Sequence, residues 1–150
     1  MLSKEDKRCL VVGIGNPLRS DDGVGPCIVH KIEEKNIPGV NTLSAHQLNV
    51  ELLEEVGGYQ KVLLVDASYS GDGLSFRKVI PINVDKGASS HHFSPEFFLA
   101  LSKKLYQRDL NLFLYSIRGR NFDIGGQLSP DVMSLVPKAV DEICACLKEN

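Results

Sequence analysis

The sequence lacks several features that would place it in a common functional class. Its 17 Lys and Arg residues against 19 Asp and Glu give a net charge of −2, so there is no broad basic surface for nucleic acid. No G-x-S-x-G motif marks a serine nucleophile, and no CxxC pair marks a metal site. No apolar run has membrane-spanning length, and residues 1–8 do not resemble a signal peptide. We therefore expect a cytoplasmic protein with no membrane partner.

The four cysteines do not indicate a disulfide or a metal site. Cys9 belongs to a predicted strand and Cys27 to a predicted helix, where core packing is expected. Cys144 and Cys146 are two positions apart in a predicted helix and therefore point to different sides, which makes them a poor chelating pair. We predict buried, reduced thiols, none of which acts as a nucleophile.

Alternating apolar runs and helical patterns predict one α/β domain over residues 1–150, a length sufficient for a single hydrophobic core. The predicted strands cover residues 9–13, 40–44, 61–67, 74–82 and 112–117. The first and third are apolar throughout, which is typical of parallel strands covered on both faces. The alternating pattern of the fourth, and Pro81 near its end, indicate an antiparallel edge strand.

Polar residues between apolar neighbours predict where three helices begin. These N-caps are Asn49, Ser94 and Ser129, the last two followed by Pro95 and Pro130 at the first helical position. Apolar periodicity also predicts the faces of the first and last helices that pack on the sheet. The predicted inner residues are Val24, Cys27, Ile28 and Ile32 in the first helix, and Val132, Val136, Val140, Ile143 and Leu147 in the last.

Residues 9–25, CLVVGIGNPLRSDDGVG, place a strand and a glycine-rich turn before two aspartates at a helix start. A phosphate would need bare amide groups at this point, whereas Asp21 and Asp22 repel a phosphate and attract a cation. Leu18 replaces the third glycine of a dinucleotide fingerprint, and the second predicted strand ends without an acidic residue for a ribose. These departures argue against a nucleotide-binding oxidoreductase.

A second carboxylate and a histidine pair complete a candidate metal site. Asp66 ends the apolar run KVLLVD, so it and Asp22 are expected at the same carboxyl edge of the sheet. In GASSHHFSPE, His91 and His92 stand just before the Ser94 N-cap. Two carboxylates and an imidazole suit a divalent ion such as nickel or zinc, with coordination positions left for a substrate.

Simpler roles are open to each of these residues taken alone. Asp22 can cap its helix and Asp66 can begin a turn, as aspartate often does. His46, after the second predicted strand, is expected beside the site rather than as a ligand. His30 lies in a predicted helix and is expected to face water.

In their order and spacing, GIGNPLRSDDGVG, VLLVDA and SSHHFSPE resemble the hydrogenase maturation endopeptidases, which process the large subunit of [NiFe] hydrogenases. HQLNVELLEE and GGQLSP resemble segments of one branch of that family, and the similarity spans nearly the whole chain. The resemblance implies a three-layer α/β domain with a mostly parallel, twisted, five-stranded sheet between helices. It also implies an aspartyl-type endopeptidase that removes a C-terminal peptide from the precursor after nickel insertion.

Carried over by position, the resemblance places the metal-contacting and catalytic residues at Asp22, Asp66 and His91, with Asp21 orienting the turn. A serine stands two residues before both His91 and His92, so His92 is an alternative. The nickel is expected to arrive with the precursor, bound by its cysteine thiolates. It would polarise the scissile carbonyl or activate a water while one carboxylate accepts a proton. The sequence does not decide which carboxylate has which role.

The implied partner is the [NiFe] hydrogenase large-subunit precursor, with neither nucleic acid nor membrane. A monomer is expected, because a large protein substrate must reach the site. Residues 68–73, 118–126 and the AHQLN turn are candidate recognition loops. Two alternatives use the same acids and histidine: a non-catalytic nickel-binding chaperone or scaffold for hydrogenase assembly, and a hydrolase with its own resident metal.

Overall fold

A five-stranded sheet lies between two layers of helices in the computed structural model, which describes residues 8–83 and 93–148. The strands are β1 (Cys9–Ile14), β2 (Val40–Ala45), β3 (Lys61–Ser68), β4 (Leu74–Lys78) and β5 (Leu112–Arg118). The helices are α1 (Val24–Glu33), α2 (Leu52–Glu55), α3 (Pro95–Tyr106) and α4 (Pro130–Lys148), with a 3₁₀ turn at Ser20–Gly23. In the described parts of the chain, every helix is too short or too polar to span a lipid bilayer.

The strand order β2-β1-β3-β5-β4 places a topological switch point between β1 and β3. From β1 the chain passes through α1 to β2 on one side, and then crosses to β3 on the other side of β1. All neighbouring strands are parallel except β4, which pairs antiparallel with β5 at the edge. The predicted α/β class, the mostly parallel sheet and the antiparallel edge strand are confirmed. Open sheets of this kind bind ligands at the carboxyl ends of the strands that flank the switch point.

Successive side chains of the central strands pack on opposite faces of the sheet. Val11 and Val65 belong to the core formed with α1 and α4, whereas Leu64 packs with Leu53 of α2 and Phe98 of α3. Helices therefore cover both faces, as predicted. The predicted inner residues of the last helix are all buried: Val132, Val136, Val140, Ile143 and Leu147.

The structure corrects one predicted strand boundary and one predicted helix face. The fourth strand ends at Lys78 rather than at residue 82. The Val79 N–H donates to the carbonyl of Leu112, which is the first residue of β5, so no β5 residue lies opposite the chain beyond it. In α1, Val29 is buried in addition to the predicted residues, because α1 packs against α4 as well as the sheet, whereas the predicted inner residue Cys27 is only half-buried.

The cysteines are all free, but only Cys9 and Cys144 are buried, and Cys27 and Cys146 are half-buried. The prediction of four buried thiols is therefore wrong for two of them. Burial raises the pKa of the Cys9 thiol and of the Cys144 thiol, which keeps both protonated near neutral pH.

The predicted helix starts agree with the structure to different degrees. The Ser94 Oγ accepts a hydrogen bond from the Phe97 N–H at 3.1 Å, as an N-cap does. The Asn49 Oδ1 accepts from the Leu52 N–H at 3.2 Å, one turn before the regular part of the short helix α2. Ser129 precedes α4 as predicted, but its hydroxyl donates to Asp21.

Gly25 allows α1 to approach the sheet closely. A Cβ atom at this position would lie 2.6 Å from the carbonyl oxygen of Ile14 and closer still to that of Val65, and neither main-chain atom can move freely. We expect Gly25→Ala to lower the free energy of unfolding in urea by about 1–3 kcal/mol through overpacking. Gly126→Ala is the control, because a Cβ there meets no atom within 4 Å. Equal stability of the two variants would contradict this role for Gly25.

Candidate functional site

A cavity of about 900 Å³ opens at the carboxyl edge of the sheet, on the side covered by α2 and α3. Ile14 at the end of β1 and Asp66 near the end of β3 line it, together with Leu114 from within β5. The beginning of α3 supplies Ser94 and Pro95. The polar lining includes Asp22, His46, Gln47, Asn49, Glu51, Asp66 and Ser94. The cavity thus lies at the switch point and contains both of the predicted site carboxylates.

Asp22 is held in place by the turn that follows β1. Gly15, with a φ of 142°, lies in a region that favours glycine, and its N–H donates to the Ala45 carbonyl at the end of β2. The next N–H, that of Asn16, donates to the Asp22 Oδ2 at 2.7 Å. This bond was not predicted from the sequence, where Asn16 was only part of a glycine-rich turn. It fixes the half-buried Asp22 side chain relative to the strand end.

Asp66 lies near the end of β3, where it pairs in register with Ile14 of β1 and Ser116 of β5. Burial raises the pKa of Asp66 to about 7; a hydrogen bond from the Ala67 backbone N–H opposes this rise, and the negative charge of Asp22 adds to it. Near neutral pH the Asp66 carboxyl therefore exists in both protonation states. A perturbed carboxyl group in a cleft is typical of a functional site.

Asp21 is fully buried and does not line the cavity. Its carboxylate accepts hydrogen bonds from the backbone N–H groups of Arg120, Asn121 and Ser129, and from the Ser129 hydroxyl, at 2.7–2.9 Å. Burial alone would raise the pKa of Asp21, but these hydrogen bonds together lower it below its ordinary value. Asp21 joins the turn that carries Asp22 to the segment before α4.

The predicted histidines fall into three groups. His91 and its alternative His92 lie outside the described residues. His46 lines the cavity beside the carboxylates, where it was expected, and His30 is exposed on α1. Among residues 8–83 and 93–148, no three His, Cys, Asp or Glu side chains are grouped closely enough to hold a metal.

The charge of the cavity suits a cation. Asp22, Glu51 and Asp66 contribute carboxyl groups, and the lining within the described ranges includes neither Lys nor Arg. Asp22 and Asp66 lie close enough to repel each other, and the negative charge of Asp22 raises the pKa of Asp66. Oxygen ligands from carboxylates with an added imidazole fit a divalent transition-metal ion.

Fold and cavity together define an α/β protein of the open-sheet class with an acidic site at its switch point. A protein of Methanocaldococcus jannaschii assigned as a hydrogenase maturation protease is 27% identical over 157 residues, covering 95% of this chain and 98% of that one. The hydrogenase 2 maturation protease of Escherichia coli is 24% identical over 151 residues, and the match covers 95% of this chain and 92% of that protein.

A solved structure agrees with these matches. The hydrogenase maturating endopeptidase HybD from E. coli superposes with a TM-score of 0.74 at 23% identity, over 94% of this chain and 92% of that one. No protein-family model matches the chain. In sequence and in fold, the chain is similar to hydrogenase maturation proteases over nearly its whole length.

Proposed function

We propose that this protein is an endopeptidase that removes the C-terminal peptide of a [NiFe] hydrogenase large-subunit precursor after nickel has been inserted. In this proposal Asp22, Asp66 and His91 contact the nickel that the precursor carries. The observation that supports it most is the meeting of Asp22 and Asp66 in one open, acidic cavity at the switch point of the sheet. The names of the relatives support the same class of reaction.

The placement of α3 supports a role for His91. Phe93 lines the cavity, and His91 precedes it by two residues in the sequence. His92, which precedes it by one, stays the alternative, and comparing His91→Ala with His92→Ala separates the two.

Peptide hydrolysis requires a water to add to the scissile carbonyl, the C–N bond to break, and a proton to reach the leaving amine. The nickel of the precursor would supply a Lewis acid for the carbonyl or the water. Asp66 is the better proton acceptor of the two carboxylates, because its pKa of about 7 permits it to take up and release a proton near neutral pH. Asp22, fixed by the Asn16 N–H, is the better positioned ligand.

The test follows the mass of a large-subunit precursor incubated with the purified protein. We expect loss of a C-terminal peptide from the nickel-loaded precursor and none from the nickel-free precursor. Asp22→Ala and His91→Ala should each slow processing at least about 100-fold, since each removes a group that acts on the reacting centre. His30→Ala, at an exposed position on α1, is the matched control and should process normally.

Each other outcome has a distinct meaning. An unchanged precursor mass with retained nickel binding would favour the chaperone or scaffold. Cleavage that does not depend on nickel would keep the peptidase and exclude recognition through the metal. About one metal ion per molecule of the purified protein would favour a hydrolase with its own resident ion.

A further inference from the structure

Large apolar side chains stand exposed on the loops at the carboxyl edge of the sheet. Leu18 follows β1 and is 68% exposed, Tyr69 follows β3 and is 67% exposed, and Ile124 follows β5 and is 93% exposed. We call these three side chains the apolar rim. Single exposed apolar residues are ordinary, but a group of them beside a binding site marks a contact surface.

Hydrogen bonds hold two of these loops together. The Gly125 N–H donates to the Leu18 carbonyl at 2.9 Å, and the Ser20 N–H donates to the Gly125 carbonyl at 2.7 Å. Leu18 and Ile124 are therefore carried on adjoining, paired segments. The buried carboxylate of Asp21 strengthens the same junction.

The third loop is attached through an aromatic pair. The rings of Tyr69 and Phe122 stack with their centroids 4.2 Å apart. The Gly119 N–H donates to the Ser68 carbonyl, and Arg118 donates to the Gly71 carbonyl. The rim therefore lies on three connected loops. Because these loops already hold one another in place, little conformational entropy is lost when a partner binds them.

The rim is continuous with the cavity. Tyr69 lines the cavity itself, and Leu18 lies four residues before Asp22 in the same turn. We propose that the apolar rim is the docking surface for the folded body of the large-subunit precursor, which would present an apolar surface next to its metal site. This inference rests on the proposed function, and it assigns to the rim the part of recognition that does not depend on the metal.

The experiment compares two double variants that remove equal numbers of exposed apolar side chains. Leu18→Ser with Ile124→Ser alters the rim without changing the charge of the cavity. Ile80→Ser with Leu105→Ser is the control; Ile80 is 72% and Leu105 53% exposed, and both lie toward the amino edge of the sheet. The Kd and the kinetics of processing are measured with the nickel-loaded precursor.

We expect the rim variant to raise Kd and KM at least about tenfold and to leave kcat within about twofold, because docking is lost and the reacting groups are retained. The control variant should match the unaltered protein. Equal Kd values for all three proteins, or a loss confined to kcat, would overturn the inference while the peptidase function stands. If the unaltered protein binds the precursor without cleaving it, the proposed function fails, and the Kd comparison still decides the role of the rim. If it neither binds nor cleaves, both are wrong.

Discussion

Replacing Asp66 with Asn is expected to abolish processing of the precursor and, at the same time, to stabilise the protein at about pH 8. Asn can perform neither of the roles proposed for the Asp66 carboxyl group, accepting the proton and contacting the metal, so the rate should fall at least about 100-fold. In the unaltered protein, the ionised Asp66 side chain is held in a partly desolvated site beside the charge of Asp22. Removing that charge relieves the protein of an unfavourable interaction.

The sign of the pH dependence follows from the raised pKa. The folded protein keeps a proton on Asp66 up to about pH 7, whereas the unfolded chain releases it near pH 3.8, the ordinary pKa of an aspartate. The free energy of unfolding therefore falls as pH rises between these values. Asp66→Asn should match the unaltered protein at about pH 4 and exceed it by about 2–4 kcal/mol at about pH 8.

Thermal unfolding at several pH values measures this difference. A gain of this size corresponds to a rise of about 5–10 °C in melting temperature for a chain of this length. Asp72→Asn, which neutralises an exposed acid in the following loop, should show no such gain. A pH-independent difference between Asp66→Asn and the unaltered protein would contradict the raised pKa.

Replacing Asp21 with Asn is expected to lower the free energy of unfolding by about 3–5 kcal/mol. The Asp21 carboxylate accepts four hydrogen bonds inside the protein, and Asn offers one acceptor and an NH₂ group directed at donors. Buried N–H groups would then lack acceptors, and the turn that carries Asp22 would lose its attachment. Processing should fall as well, although Asp21 does not line the cavity.

Denaturant unfolding of Asp21→Asn measures this loss, with Asp123→Asn as a control. Asp123 is an exposed acid in the same loop, and its replacement should change the free energy by no more than about 0.5 kcal/mol. Because the pKa of Asp21 is lowered by folding, its contribution is present above about pH 4 and is lost as pH falls through the lowered value. Normal stability of Asp21→Asn at neutral pH would contradict its role.

Local sequence patterns were sufficient to predict most of the fold. The continuous apolar runs of β1 and β3 reflect burial on both faces, and the alternation before Pro81 reflects an edge strand. The predicted fourth strand was too long because its end depends on where β5 begins. The additional burial of Val29 depends on the packing of α1 against α4, which no local pattern reports.

The candidate site was predictable only in part. Asp22 and Asp66 were placed at one edge because both follow apolar strands, and parallel strands end at the same side of a sheet. The partners of Asp21 lie about 100 residues further along the chain, at Arg120, Asn121 and Ser129, and had no signal in the sequence. Ser129 was predicted only as an N-cap, although its hydroxyl serves Asp21.

The sequence by itself determined the α/β class, the start of α3 at Ser94 and the two carboxylates at the carboxyl edge of the sheet, because short-range periodicity and capping chemistry encode them. The tertiary structure alone decided which groups share the cavity, how far the pKa of Asp66 rises, and how three loops join beneath the apolar rim. Those properties depend on desolvation, charge proximity and hydrogen bonds between segments far apart in the chain. Such contacts exist only once the chain has folded.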